Sequence, residues 1–226
     1  MLTIYHIRLL IDECRELSRL GVLNDNCVVI PHLEIDLVLS GEFIGAQDNP
    51  AIFVNSMTFR RLSKFHSNWI ENGTLVFQKS FLQKDPIDII GAVVHETGHA
   101  FNVAADIPNT ESNAYIYEIE VLRKLFKSKS PLLFDCSLAD VKSYFQRRLI
   151  YYAKDSSNSS ELRTLIGEIT TEFELQGEKT PKSPSLITNQ SSFFFQDEGQ
   201  NNPLEEIQDD NIEETISEDN YPSLKA

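Results

Sequence analysis

The stretch Asp85-Pro86-Ile87-Asp88-Ile89-Ile90-Gly91-Ala92-Val93-Val94-His95-Glu96-Thr97-Gly98-His99 limits the fold more than any other part of the chain. Asp85 at an N-cap and Pro86 at the first helical position open a helix. Ile87, Ile89, Ile90, Val93 and Val94 make that helix so apolar that it belongs deep in a core. Two histidines and a glutamate on such a helix are costly to bury unless partners meet them. A metal ion is such a partner: positions i and i+4 lie one turn apart on one face, so His95 and His99 can grip a single ion. Glu96 projects beside them, where it can take a proton from a water on the metal. Gly98, next to His99, permits a close backbone approach.

A catalytic zinc site keeps three protein ligands and one open position, so a third ligand must come from elsewhere. The sixth position after His99 is Ala105 rather than histidine, and Asn102 stands in place of a turn glycine, which argues against the metzincin pattern. Ala105 to Thr110 then reads as a helix stop, a turn and a fresh N-cap, and a second helix runs from Glu111 to about Lys127. Asp106, Glu111 and Glu118 are the candidate carboxylates. Glu118 lies two turns from Glu111 on nearly the same face, placed to bond a ligand histidine from behind.

The pentad His95-Glu96-Thr97-Gly98-His99 is the zinc-protease signature, and the chain resembles the gluzincin families. In them the helix after the pentad carries a Glu-x-x-Ala element whose glutamate binds zinc. Glu111-Ser112-Asn113-Ala114 matches that element. Tyr115 departs from the Asp or Asn often found next, and Thr97 stands where a large apolar residue is usual. The resemblance implies one catalytic Zn2+ on His95, His99 and Glu111, with Asp106 and Glu118 as the rival third ligands, and Glu96 as general base. It also implies a zincin-like α+β fold, in which an edge strand pairs with extended substrate.

Upstream, Leu2 to Leu20 reads as an amphipathic helix because of Arg8, Asp12, Glu13, Arg15 and Glu16. Residues 27–30 and 34–39 read as strands joined through Pro31-His32, and 51–54 as a strand entered from the turn Gln47-Asp48-Asn49-Pro50. A helix of about 57–71 ends at Asn72-Gly73 and is followed by a strand at 74–78. The second half is helical: Ser137-Leu138-Ala139-Asp140 resembles an acidic capping box for a helix to about Lys154, and a last helix ends near Leu175. The expected architecture is α+β, with a small N-terminal mixed sheet, the pentad helix, a mostly helical C-terminal half and an acidic tail. Tyr115, Tyr117, Tyr144, Tyr151 and Tyr152 are candidate oxyanion donors, although core packing is the commoner use of a tyrosine. His6, His32 and His66 have no ligand spacing.

Charge divides the chain at residue 176. Of the formal net charge of −14, residues 177–226 carry −8, from eleven acidic residues against three lysines. That composition cannot bury enough apolar surface to offset its ordering entropy, so residues 1–176 read as the metalloprotease domain and 177–226 as a disordered tail. Phe193-Phe194-Phe195 is its one bulky apolar triplet. The sign of charge disfavours nucleic acid, no apolar run is long enough to span a membrane, and no cleavable signal peptide is expected at the N-terminus. Cys14, Cys27 and Cys136 read as free thiols of a reducing compartment.

With its size, its pentad and its tail, the chain also resembles the actin-cleaving zinc metalloprotease effectors that bacterial type IV secretion systems deliver into host cells. Glu205-Glu206 and Glu213-Glu214 resemble the glutamate-rich C-terminal signals of such effectors. This resemblance implies synthesis in the bacterial cytoplasm, translocation into the host cytosol and host actin as substrate. A housekeeping bacterial zinc peptidase and a noncatalytic zincin-fold interaction protein are the alternatives.

Overall fold

The computed structural model describes residues 2–21, 27–39, 49–134 and 136–176, and these contain six α-helices and three strands. In chain order they are α1 (Ile4–Arg19), β1 (Glu34–Val38), β2 (Ala51–Phe53), α2 (Ser56–Leu62), β3 (Thr74–Gln78), α3 (Pro86–Ala104), α4 (Glu111–Lys127), α5 (Leu138–Asp155) and α6 (Ser160–Glu172). The class is mixed α+β, mostly helical, with one small sheet. Its order is β1-β3-β2, with β3 parallel to β1 and antiparallel to β2. Thr74-Leu75-Val76-Phe77-Gln78 is buried at every position, as a central strand covered on both faces requires. One face meets the main core, while Val38, Ile52, Val54, Leu62, Trp69 and Val76 form a smaller cluster on the other.

The apolar pentad helix is α3, and it is packed by α1, α4, α5 and β2. Pro86 occupies its first turn, although the Asp85 side chain makes no cap bond. Thr110 caps α4 by accepting from the Asn113 N–H at 3.3 Å, and Ser137 and Asp140 form the reciprocal capping box of α5. Two glycines let the neighbouring helices close on α3. A methyl group on Gly98 would sit 3.1 Å from both the Ala114 carbonyl oxygen and the Tyr117 Cβ, tighter than ordinary contact. The space a methyl would take on Gly91 is filled by the Tyr144 ring from α5. Gly91→Ala is therefore expected to destabilise the fold by about 1–3 kcal/mol, the usual cost of overpacking a filled core, readable as a lowered urea midpoint.

Two elements differ from expectation. Residues 27–30 are not a strand: Val28 donates to the Ser18 carbonyl at 3.0 Å, and the Ile30 carbonyl accepts from Arg15 at 3.2 Å. With those groups bound to α1, the segment buries Val28 and Ile30 without entering the sheet. The helix expected at 57–71 stops at Leu62. Turns beyond it carry the Trp69 indole N–H to Asp36 on β1 at 2.8 Å and the Ile70 N–H to the Thr74 hydroxyl at 2.8 Å. A continuous helix could not make both bonds. The strands expected at 34–39, 51–54 and 74–78 are kept to within a residue.

All described residues belong to one compact unit. Among them no helix is long and apolar enough to cross a membrane. No disulfide joins Cys14, Cys27 or Cys136. The acidic tail at 177–226, with Phe193-Phe194-Phe195 and the two glutamate pairs, lies outside the described residues, as does the Gln47-Asp48 half of the expected turn.

Candidate metal centre

A short reversal between α3 and α4 assembles the site. Asp106 takes a left-handed conformation (φ 54°), and the Ile107 N–H returns to the Asn102 carbonyl at 3.0 Å. Pro108, Asn109 and the Thr110 cap then start α4 alongside α3, so that Glu111, its first residue, faces the pentad. Glu111 Oε2 lies 3.2 Å from His95 Nε2, and Oε1 lies 3.5 Å from His99 Nε2. One ligand atom from each of the three side chains falls within 4.8 Å of the others, so the group could hold a metal ion. Asp106 belongs to no such group among the described residues, and Glu118 lies behind His95 instead of beside Glu111.

The outer nitrogens of both rings are already engaged. His95 Nδ1 is 2.9 Å from Glu118 Oε2, and His99 Nδ1 is 2.7 Å from Asn109 Oδ1. A carboxylate only accepts, so His95 Nδ1 carries a proton, and Nε2 is left facing Glu111. Nε2 and a carboxylate oxygen 3.2 Å apart are held together either by a proton on Nε2 or by a metal ion that both ligate. Glu111 Oε2 is buried and receives no hydrogen bond. Of the three glutamates at the site, Glu118 has Arg148 beside it, while Glu96 and Glu111 have the two imidazoles.

The ionisation of the site's own groups shows how strongly they are coupled. Burial disfavours charge on His95, yet the Glu111 and Glu118 carboxylates more than offset it and raise its pKa to about 9. His99 is raised against burial by Glu111 in the same way. Burial opposes charge on Glu111 too, but the two imidazoles hold its carboxyl far below the usual range. The pocket gathers positive charge between these three groups.

Glu96 is buried, and its Oε2 accepts the main-chain N–H of Phe53 at 2.6 Å. On β2 the Val54 N–H bonds to Thr74 of β3, so alternation turns the Phe53 N–H outward from the sheet, toward α3. Burial raises the Glu96 pKa, opposed by the fields of His99 and His95 and by this N–H. Neither Phe53 nor Asn109 stands out in the sequence. Asn109 sits two residues before Glu111, which is the only cue; for Phe53, 43 residues away from Glu96, there is none.

Glu118 is fully buried, and its donors besides His95 come from one face of α5. Tyr144 and Tyr152 donate to Oε1 at 2.8 and 2.5 Å, while Arg148 gives Nε to Oε1 at 3.2 Å and Nη2 to Oε2 at 2.8 Å. Burial alone would raise the Glu118 pKa; Arg148 and His95 more than offset it and hold the carboxyl down at about 2. These contacts give three of the candidate oxyanion donors another use, in keeping with core packing as the commoner role of a tyrosine. The Tyr144 and Tyr152 hydroxyls serve Glu118, and that of Tyr117 donates to the Cys14 carbonyl at 3.0 Å. Tyr115 is packed between the His95 ring at 5.1 Å and the Arg148 guanidinium at 5.1 Å. The remaining histidines stand apart from the site: His6 bonds Thr3, His32 faces Glu34 and His66 stacks on Trp69.

No family model, curated protein or solved structure matches the chain.

Proposed function

We propose that the chain is a zinc-dependent endopeptidase with a zincin-like domain, in which His95, His99 and Glu111 hold the metal and Glu96 is the general base. The observation that carries this is the convergence of Glu111 on both Nε2 atoms beside a buried Glu96. Two imidazoles and one carboxylate are a donor set zinc favours, and three ligands leave a position for water. A zinc ion held there would supply a water of lowered pKa and a Lewis acid for the scissile carbonyl.

The chain's own groups do the rest. With Oε2 tied to Phe53, Glu96 presents Oε1 to take the proton of the attacking water, and the same group delivers it to the leaving amine. Glu118 and Asn109 hold the two imidazoles with their Nε2 atoms toward the metal position. β2 is an edge strand of the sheet and abuts α3, and its outward Phe53 N–H is given to Glu96 rather than to a substrate. The resemblance to translocated effectors supports host actin as the substrate.

The test is a gel assay of purified actin and of an unfolded general substrate, with zinc-loaded protein, with and without a chelator. A discrete actin fragment that disappears with chelator and returns with added Zn2+ is the expected result. Cleavage of the general substrate alone would favour the housekeeping peptidase. Cleavage of neither, by protein verified to carry zinc, would overturn the enzymatic reading.

A further inference from the structure

We infer that Arg148, with Tyr144 and Tyr152, positions the metal ligand His95 by locking Glu118 in a single orientation. This rests on the metal site proposed above. The three residues recur at i, i+4 and i+8 on α5, so one helix face delivers every one of these donors to one carboxylate. Oε1 receives both hydroxyls and the Arg148 Nε, while Oε2 receives only Nη2 from α5 and is turned to His95 Nδ1.

Neutralising a buried carboxylate takes one cation. Here a planar fork grips both oxygens and two phenols fix the oxygen that points away from His95. The carboxylate plane cannot turn without breaking several of these bonds at once. A second route runs through packing, because the Arg148 guanidinium lies over the Tyr115 ring, which packs on His95. Arg148 therefore restrains His95 through its hydrogen-bond partner and through its ring neighbour.

The test uses the full chain and Zn2+ alone. Dissociation constants are measured by competition with a chromophoric chelator for wild type, Arg148→Lys and Tyr152→Phe, with the thermal midpoint of each metal-free protein. The visible spectrum of the Co2+ form is recorded alongside. Arg148→Lys keeps the charge and loses the fork, and it is expected to weaken Zn2+ binding by about 10- to 100-fold, the usual cost of losing a group that orients a ligand. Tyr152→Phe removes one hydroxyl, so it is expected to give a smaller loss with shifted Co2+ bands. If both variants fold and bind Zn2+ with wild-type affinity and spectrum, whatever their thermal midpoints, Arg148 is structural and the inference falls. Should Arg148→Lys fail to fold, Tyr152→Phe decides by the same comparison. Wild type that does not bind Zn2+ would instead sink the proposed metal site, and this inference with it.

Discussion

Glu96→Gln is expected to lower kcat by about 10²- to 10⁴-fold, the usual contribution of a positioned general base, while the protein still binds one zinc ion. The substitution is chosen for what it keeps. A glutamine carbonyl oxygen can still accept the Phe53 N–H, so the side chain stays where Glu96 Oε2 is held at 2.6 Å. It also leaves His95, His99 and Glu111 untouched. The one property removed is the capacity to take up a proton from water and return it to the leaving amine. Single-turnover kinetics on the cleaved substrate, with metal content measured by mass spectrometry, separates this from loss of the ion. An unaltered kcat would strip Glu96 of the base role.

Glu118→Ala is expected to destabilise the fold by about 3–5 kcal/mol, the scale for removing one partner of a buried ion pair. Against a total stability of roughly 5–15 kcal/mol, that is a large share. The loss has three physical parts. Arg148, with a side chain only 12% exposed, is left without its counter-charge. The Tyr144 and Tyr152 hydroxyls lose their acceptor in a buried setting, and His95 Nδ1 loses the group that fixes its proton. Urea unfolding of the metal-free protein measures the sum. The double substitution Glu118→Ala with Arg148→Met should cost less than the single one, since it removes the stranded charge. A single-variant loss below about 1 kcal/mol, the level of an exposed pair, would contradict the buried network.

What was legible in the sequence was what short-range spacing encodes. His95 and His99 share a helix face by arithmetic, Pro86 marks the start of α3, and Ser137 and Asp140 cap α5 through a three-residue interval. Glu111 was named through a motif resemblance, and the reversal at Asp106 is what brings it to both histidines. The rest depends on contacts that no local rule contains. Phe53 meets Glu96 across 43 residues, and Tyr152 meets Glu118 across 34. The tyrosines of α5 were visible as candidates, but their direction is set by how α5 lies on α3, with Gly91 leaving room for Tyr144. Their spacing with Arg148 on a helix that also buries Val141, Phe145 and Leu149 was a usable signal that these polar groups point inward. Residues 27–30 show the converse failure. Their apolar, β-branched run reads as a strand, yet α1 takes hydrogen bonds a sheet would need.

The bond from Phe53 to Glu96 has a consequence for how this site tolerates sequence change. Its donor is main chain, so nineteen of the twenty amino acids supply it equally well. As far as Glu96 is concerned, position 53 can drift through any residue that β2 can pack, and only proline, which has no N–H, severs the tether. The orientation of the proposed base is thereby written into the strand itself, beyond the reach of most single-codon changes.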